Sequence, residues 1–401
     1  MNQAAAGMAT LVRALRPTNP GWIVLLASAG LTALGVVSIQ SAGAFRLEGS
    51  NDSLSVATTR QLVYVAVGVL GALVVATPHY RRLGPWTPVL ALGTVGLLVF
   101  LLVPWVPTWL VTPKKGARGW INFGVSEFQP AEMAKIVYVL VIAWYLRYRT
   151  THRRFLGLLP IGLMTMVPVG LITLQPDLGS AMLFVPSLFA MLVAAGAKLR
   201  HLVVIVLVGA MAAPLTYPVL RPHQKVRLVG LWKQFVGDSS GDRDINFQST
   251  VAQTLIGAGG VSGNEGGKSR ALLHFNALPE RHNDMIPAVI GNRFGLLGLV
   301  GLLGLCVMWV WGALLVAAGT NDPFGRLVCV GLGGFVGVQA AVNIAMNMGL
   351  APIIGVTLPF VSYGGSSMLS AWLMTGLVFN VSMRRPDPML HQAFEFSEED
   401  E

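Results

Sequence analysis

The distribution of charged residues constrains this fold more than any other feature of the sequence. Apolar stretches without a single Asp, Glu, Lys or Arg cover residues 17–45, 61–80, 83–113, 155–176, 178–197, 294–320 and 327–383. A hydrocarbon core about 30 Å thick needs about 20 residues of helix, so each stretch suffices for one span and the last for two. A buried soluble helix would explain one stretch, but their repetition predicts an all-α, polytopic membrane protein.

The composition supports the same fold class. Of the 401 residues, 54% are hydrophobic and only 11% are charged, whereas soluble domains carry about 25% charged residues. The two cysteines, Cys306 and Cys329, lie in apolar stretches and predict neither a disulfide framework nor a metal site. Arg13 and Arg16 precede the first apolar stretch as in a signal peptide, but the many later spans favour an uncleaved first helix.

The chain is predicted to be one transmembrane domain, 1–401, with about ten spans. We place them at 21–41, 61–78, 87–108, 131–147, 157–174, 179–196, 202–220, 286–316, 326–348 and 358–382. Basic residues of short loops face the cytoplasm, and they are Arg81, Arg82, Arg147, Arg149, Arg153, Arg154, Lys198, Arg200, Arg384 and Arg385. All fall on one side when the N-terminus (1–20) and the tail (384–401) are both cytoplasmic.

The longest predicted outer loop covers residues 221–285. Its mixture of Pro, Gly, His, aromatic and charged residues is typical of a functional loop rather than a linker. A helix is predicted at 247–256, ended by the glycine-rich residues 257–260.

The net charge of +10 is not confined to the cytoplasmic side, because the outer loops also carry Lys114, Lys115, Arg118 and Arg281. Outer cations fit an anionic partner such as a lipid pyrophosphate, or a general attraction to anionic lipid, and charge alone does not distinguish these. A nucleic-acid partner is not expected, since the sequence shows no soluble basic domain or base-stacking module.

Polar residues interrupt the apolar stretches at three places. Glu132 and Lys135 share one helix face at i,i+3 and either form a structural ion pair or line a wet cavity. In 175–179, Pro176 and Gly179 make a turn, and Asp177 is expected to cap the next helix. The 357–367 segment holds a proline break, glycines and hydroxyls, which suit either anion binding or close helix packing.

The strongest catalytic candidate is the 279–284 segment just before the eighth predicted span. A carboxylate, an imidazole and a guanidinium meet there at the membrane interface, in Asp284, His282 and Arg281. Partial desolvation makes such a carboxylate a better proton acceptor, which Arg281 would oppose. Asp284 is therefore either a general base or a helix cap.

Several segments, in this order, resemble the shape, elongation, division and sporulation (RodA/FtsW/SpoVE) family. They are Gly116–Asn122, Phe128–Glu132, Gln175–Ser180, Asn246–Gln248, Gly257–Gly260, Leu278–Asp284, Asn343–Gly349 and Thr357–Ser367. The resemblance extends from about residue 110 to 382 and is most similar to the RodA type. It implies a glycosyltransferase that polymerises lipid II, with the growing glycan on undecaprenyl pyrophosphate as donor.

The resemblance also assigns roles to residues. It implies that catalysis depends on Asp284. Substrate binding is expected of Arg118, Glu132, Lys135, Gln248, His282 and Ser366, together with the outer cations Lys114, Lys115 and Arg281. Structural roles are expected of Gln175, Pro176, Asp177, Gly179, Pro359, Gly364 and Gly365. A class B penicillin-binding protein is the implied partner, and the bacterial inner membrane is the implied location.

Two departures from the family pattern affect these expectations. Asn283 stands where the family usually has Thr and is followed by 285–287, Met-Ile-Pro, in place of a more aromatic run. Asn292 and Arg293 replace a commonly acidic pair. A divalent cation, Mg²⁺ or Mn²⁺, is expected only from the family, because the sequence shows no metal-ligand cluster. A lipid II flippase and a non-catalytic scaffold for the transpeptidase are the alternative functions.

Overall fold

The computed structural model describes residues 16–43, 54–111, 113, 117–124, 126–216, 218, 225–226, 229–230, 232, 236 and 246–384. The expectations for Lys114, Lys115, the first fifteen residues and the tail beyond Arg384 lie outside the described residues, as does most of 221–245.

Helices dominate the described chain. In the first half they are α1 (Gly21–Ser41), α2 (Val56–Ala76), α3 (Leu83–Leu102), α4 (Pro130–Leu146), α5 (Leu159–Leu174), α6 (Leu178–Met182), α7 (Phe184–Ala194) and α8 (Leu199–Thr216). In the second half they are α9 (Phe247–Gly259), α10 (Gly266–Phe275), α11 (Ile286–Ala318), α12 (Pro323–Asn347) and α13 (Gly365–Met383). Every predicted span contains a helix, and the helix predicted at 247–256 is confirmed as α9.

The helices identify a polytopic membrane protein. In the described part of the chain, six segments are long and apolar enough to cross a bilayer, namely Gly21–Ser41, Val56–Ala76, Tyr80–Leu102, Leu156–Leu174, Ile286–Ala318 and Pro323–Asn347. Shorter apolar helices lie at Leu178–Ala194 and Leu199–Ala212. The all-α fold class is confirmed, while the number of ten spans stays a prediction.

Small residues let the central helices approach closely. α13 packs most extensively against α2, where a Cβ on Gly376 would lie 2.5 Å from the Ala72 carbonyl oxygen. α11 packs against α1, and a Cβ on Gly312 would lie 2.8 Å from Val24. Since lipid removes the hydrophobic drive for helix pairing, such close van der Waals contact holds the bundle together.

Non-helical chain fills one end of the bundle, which we call the cavity end. It holds an antiparallel hairpin of β1 (Ile121–Asn122) and β2 (Glu127–Phe128), in which Ile121 pairs with Phe128. α9, α10 and residues 349–364, between α12 and α13, lie at the same end. Because residues 349–364 are irregular, the helix of the last predicted span begins at Gly365 rather than at residue 358 as expected.

The 349–364 segment is irregular but buried, and Leu358 and Val361 are fully covered. Side-chain amides satisfy its main-chain groups. Gln339 Nε2 donates to the Thr357 carbonyl at 2.9 Å, and Gln61 Nε2 donates to the Ser362 carbonyl at 3.2 Å. Unpaired backbone groups are costly in a membrane, so irregular chain persists there only when protein supplies such partners.

Candidate active site

A polar cavity of about 800 Å³ lies at the cavity end. Its walls come from the start of α2, the hairpin, α4, α6, α9, α12, the chain before α11, and the 349–364 segment with the start of α13. This volume is in the range that holds small-molecule ligands. The elements come from distant parts of the sequence, so only the folded bundle assembles the cavity.

Asp284 lines the cavity although the residue is only 6% exposed. Its carboxylate faces Gly355, where an added Cβ would lie 3.9 Å from Asp284 Oδ2. The main-chain carbonyl of Asp284 accepts two hydrogen bonds of 2.9 Å, from Asn343 Nδ2 and Asn347 Nδ2 of α12. The chain thus presents a carboxylate to the cavity from a main chain that α12 holds in place.

The carbonyls before Asp284 are held in the same way. The His282 carbonyl accepts from the Tyr363 main-chain N–H at 2.8 Å. The Asn283 carbonyl accepts from Ser362 Oγ at 2.6 Å, and Ser362 Oγ accepts in turn from the Leu358 main-chain N–H at 2.7 Å. Three consecutive carbonyls are therefore bound by groups that follow them by 59 to 81 residues.

The ion pair expected between Glu132 and Lys135 is confirmed. Lys135 Nζ lies 2.7 Å from Glu132 Oε1 and 2.8 Å from Gln339 Oε1. Ser370 Oγ donates to Glu132 Oε2 at 2.7 Å. All but Ser370 line the cavity, so the pair combines the two roles that the sequence left open.

The capping role expected of Asp177 is also confirmed. Asp177 Oδ1 accepts from the Ser180 main-chain N–H at 3.0 Å, and Oδ2 accepts from Ser180 Oγ at 2.7 Å. Gln129 Nε2 donates to the same Oδ2 at 3.1 Å. Asp177 lines the cavity, but its oxygens hold the α6 turn and connect it to the chain before α4.

The neighbouring motif residues bring other elements close to that turn. Gln175 is buried, and its Nε2 donates to the Leu98 carbonyl of α3 at 2.8 Å. Pro176 lines the cavity. A Cβ on Gly179 would lie 2.5 Å from the Ile354 carbonyl oxygen, so the glycine lets the 349–364 segment approach.

The start of α13 is joined to the hairpin and to α2. Ser366 Oγ donates to the Glu127 carbonyl at 3.0 Å and accepts from the Gln129 main-chain N–H at 2.9 Å. Gly365 packs on Tyr64, whose ring carbons would lie 3.1 Å from an added Cβ. Ser366, Gly364, Gly365 and Gln248 line the cavity, and Pro359 is buried behind it.

Three residues expected to bind substrate are not part of the cavity lining in the described structure, and they are Arg118, Arg281 and His282. Arg118 Nη2 donates to the Val106 carbonyl at 3.2 Å, which turns the guanidinium toward the chain after α3. Burial and then the charge of Arg281 hold the pKa of His282 below its ordinary value of 6.5, against an opposing effect of Glu280.

The described cavity lining is rich in carboxylates. They belong to Glu127, Glu132, Asp177, Glu280 and Asp284. The described lining cations are Arg60 and Lys135, and Lys135 is already paired with Glu132. The sequence analysis missed Arg60, whose signal was a single cation at the outer end of a predicted span.

The residues that depart from the family pattern take part in local networks. Asn283 Nδ2 donates to Glu280 Oε2 at 2.6 Å beside the cavity. Asn292 is fully buried, and its Oδ1 accepts from Ser269 Oγ of α10 at 2.6 Å. The Asn292 carbonyl accepts from the Asn264 main-chain N–H at 3.1 Å. Asn292 therefore fastens the outer helices to α11.

In the described residues, no group of three or more His, Cys, Asp or Glu side chains is placed to hold a metal ion. The divalent cation stays a prediction.

Sequence comparisons find relatives along nearly the whole chain. The family model for cell cycle proteins of the FtsW, RodA and SpoVE type matches residues 22–386. A probable peptidoglycan glycosyltransferase FtsW of Trichlorobacter lovleyi is 32% identical over 362 residues, 90% of this chain and 92% of that protein. Stage V sporulation protein E of Bacillus subtilis is 28% identical over 374 residues, 92% of this chain and 98% of that protein.

Solved structures share the fold. A chain of a peptidoglycan synthase complex that coordinates polymerization and crosslinking has a TM-score of 0.74 and 31% identity, covering 90% of this chain and 97% of that chain. The rod shape determining protein RodA of Thermus thermophilus has a TM-score of 0.66 and 29% identity, covering 91% of this chain and 97% of its own. This chain is similar to proteins of both the FtsW and the RodA type, so its assignment to the RodA type stays a prediction.

Proposed function

Because this chain belongs to the FtsW, RodA and SpoVE family of cell cycle proteins, we propose that it is a peptidoglycan glycosyltransferase that works in the polar cavity. The donor is the growing glycan on its undecaprenyl pyrophosphate carrier, and the acceptor is lipid II. The cavity end faces the outside of the bacterial inner membrane, with both termini in the cytoplasm. The basic cytoplasmic loops support this orientation.

The observation that carries the proposal is the position of Asp284. Its carboxylate is nearly buried, faces the cavity, and lies beside Gly355, which has no side chain to block approach. A carboxylate held at the wall of a polar cavity can accept a proton from a bound hydroxyl. Helix capping, the other interpretation of Asp284 from the sequence, is not favoured, since Met285 occupies the N-cap of α11.

In the proposed reaction, a lipid II sugar hydroxyl attacks the anomeric carbon of the donor. The new glycosidic bond forms as the bond to pyrophosphate breaks, and Asp284 takes the hydroxyl proton. General-base assistance of this kind contributes about 10²–10⁴-fold in rate. One base and direct displacement invert the anomeric carbon, whereas a retaining enzyme needs a second carboxylate as nucleophile.

The pyrophosphate leaves with negative charge, and Arg60 is placed to stabilise it. Two cations line the described cavity, and Lys135 is paired with Glu132. Among the described residues, no carboxylate lies within ion-pair distance of the other cation, Arg60. Guanidinium groups bind phosphate oxygens through two parallel hydrogen bonds. Lys114 and Lys115 belong to the chain just before the hairpin and are proposed to assist.

The remaining cavity residues give the substrates a fixed surface. Gln248 of α9 and Ser366 of α13 lie on its wall with the Glu132–Lys135 pair. Ser366 and the Glu132–Lys135 pair are already fixed by hydrogen bonds, so they orient lipid-linked substrates with little further loss of entropy. Arg118, Arg281 and His282 are not on this wall and are proposed to contact the parts of the substrates that extend beyond it.

A class B penicillin-binding protein is the proposed partner. Support comes from the structural similarity to a chain of a synthase complex that couples polymerization to crosslinking. In that arrangement this chain makes the glycan strand and the partner crosslinks it. Nucleic acid is not proposed as a ligand.

The test is polymerisation of lipid II by the full-length chain in detergent, alone and with the partner. An enzyme makes glycan polymer without any membrane compartment, while a flippase needs two compartments to show activity. A scaffold would yield polymer only from another enzyme, so polymer that depends on Asp284 of this chain distinguishes all three.

A further inference from the structure

Two side-chain amides converge on the main chain of Asp284. Asn347 is the last residue of α12, and Asn343 lies one turn before it. Each donates a hydrogen bond of 2.9 Å to the Asp284 carbonyl oxygen, and that single oxygen has two lone pairs to accept them. Both side chains are fully buried, so water does not compete for these bonds.

The same amides make further bonds that fix their orientation. Asn343 Nδ2 also donates to the Val356 carbonyl at 2.6 Å, and Asn347 Nδ2 also donates to the Asn343 carbonyl at 3.0 Å. A flip of either amide would place its Oδ1 against carbonyl oxygens, which repel it. The carbonyls therefore determine which way each amide points.

This orientation leaves both Oδ1 atoms buried, and no partner for them is found in the described part of the chain. A buried polar atom without a hydrogen bond destabilises a fold. An apolar side chain of similar size would avoid that penalty at Asn347, because Asn343 would still satisfy the Asp284 carbonyl. Stability alone therefore gives little reason for asparagine at position 347.

We propose that Asn347, acting with Asn343, is a positioning residue that fixes the Asp284 main chain and so aims its carboxylate into the cavity. The proposal rests on the proposed function, because it assumes that Asp284 is the base. Only two rotatable bonds join the aspartate carboxylate to its main chain, so in a given rotamer a displacement of that main chain displaces the carboxylate as well. A misplacement of about 1 Å at a reacting group can cost about a hundredfold in rate.

The 349–364 segment also helps to fix the main chain at Asp284. Asn343 bonds Val356 of that segment as well as Asp284, and Ser362 Oγ holds the Asn283 carbonyl next to the base. The segment also supplies Gly355 opposite the Asp284 carboxylate. α12, the 349–364 segment and the chain before α11 are thus joined at the peptide that carries the base.

The experiment compares Asn347→Leu with wild type in lipid II polymerisation by the full-length chain, with kcat, KM and Tm measured on the same preparations. The expected result is a fall in kcat of about ten- to a hundredfold, a KM within about twofold of wild type, and a Tm equal to or above that of wild type. Wild-type kcat in the folded variant would overturn the proposal.

Asn380→Leu is the matched control. Asn380 is also fully buried and also donates to two carbonyls, those of Val75 and Pro78, at 2.7 Å each, but at the opposite end of the bundle. The Asn380→Leu variant is expected to have a lower Tm than wild type, while its folded molecules keep the wild-type kcat. The proposal is wrong if Asn347→Leu has a lower Tm than wild type and, at the same decrease in Tm, its kcat falls no more than that of Asn380→Leu. Asn347 would then have only a structural role.

Ser362 gives a second variant pair. Ser362→Ala removes the hydroxyl that holds the Asn283 carbonyl, whereas Ser362→Thr keeps a hydroxyl at that position. We expect Ser362→Ala to have a lower kcat than wild type and Ser362→Thr to recover it. Equal kcat in the two variants would count against a role of this hydroxyl in positioning Asp284. Failure of wild type to make any polymer would instead refute the proposed function itself.

Discussion

Lys135 Nζ lies 2.7 Å from Glu132 Oε1, and the lysine side chain is only 1% exposed although both residues line the cavity. A buried charge pair contributes little net stability compared with apolar residues of the same size, but removing one partner leaves a buried unpaired charge. The pair therefore fixes two opposite charges in the cavity lining at a small net cost in folding free energy.

The first prediction concerns this pair. Lys135→Met is expected to lower the free energy of unfolding by about 3–5 kcal/mol, because Glu132 loses its counter-charge in a buried site. Glu132→Gln combined with Lys135→Met should recover much of that loss. Thermal unfolding in detergent measures both variants, and a double variant less stable than Lys135→Met alone would contradict the explanation.

The second prediction concerns Arg60 at the cavity wall. Arg60→Ala is expected to lower kcat by about ten- to a hundredfold, since Arg60 is proposed to stabilise the leaving pyrophosphate and hydrogen bonds to charged groups are worth about 1.5–3 kcal/mol. Arg60→Lys should keep part of kcat, as lysine keeps the charge but not the paired geometry. Steady-state kinetics over a range of lipid II concentrations provides the measurement.

Arg81→Ala is the control for Arg60. Arg81 Nε lies 3.4 Å from Asp322 Oδ2 at the opposite end of the bundle, and the arginine side chain is 61% exposed. Its loss should leave kcat unchanged. An unchanged kcat in Arg60→Ala would show that Arg60 does not stabilise the leaving pyrophosphate.

The third prediction is a pH dependence of stability. The pKa of His282 in the folded protein is below 6.5, first because of burial and then because of Arg281. As the pH falls below 6.5, the unfolded chain binds a proton that folded His282 does not, so stability decreases until the pH reaches the folded pKa. Above 6.5 this contribution is fully retained.

The His282→Gln variant isolates that effect. His79, whose pKa burial and Arg384 also lower, has the same sign and is present in both proteins. Unfolding measured between about pH 5 and 8, across the ordinary histidine range, should show a shallower decrease in the variant than in wild type. Identical slopes would show that His282 does not contribute.

The fourth prediction concerns Asn292 of α11. Its fully buried Oδ1 accepts from Ser269 Oγ at 2.6 Å, and Asn292 Nδ2 donates weakly to the Leu255 carbonyl at 3.4 Å. Asn292→Asp would bury a carboxylate and is expected to destabilise the attachment of α9 and α10 to α11. Limited proteolysis of the 246–275 region should then be faster.

Ser269→Ala is the milder companion of that variant. It removes one neutral hydrogen bond, worth about 0.5–1.5 kcal/mol, and should give an intermediate proteolysis rate. If Asn292→Asp were as resistant as wild type, Asn292 would not be what holds the outer helices.

The sequence allowed the membrane fold to be predicted because apolar stretches and basic loops are local signals. The Glu132–Lys135 pair, the Asp177 cap and α9 were also predictable, since each depends on residues within a few positions of one another. The hairpin and α10 were missed. Each hairpin strand has only two residues, and α10 is a helix of ten residues that begins with two glycines, which are poor helix formers.

The cavity could be predicted only in part. Nothing in the local sequence shows that Asn347 bonds the carbonyl of Asp284, because 63 residues separate them. Similarly, charge and motif predicted a substrate-binding role for Arg118, but they did not predict that its Nη2 donates to the Val106 carbonyl. Side-chain direction within a loop depends on tertiary packing, which local patterns do not specify.

The central claim is that Asp284 is the base of a glycan polymerase, and polymerisation of purified lipid II tests it most directly. Wild type and Asp284→Asn are compared in detergent, with folding checked by Tm and substrate binding checked on the same preparations. The variant keeps the size of the side chain but cannot accept the proton. We expect polymer from wild type and none from the folded, lipid II-binding variant, and full polymer formation by Asp284→Asn would contradict the account.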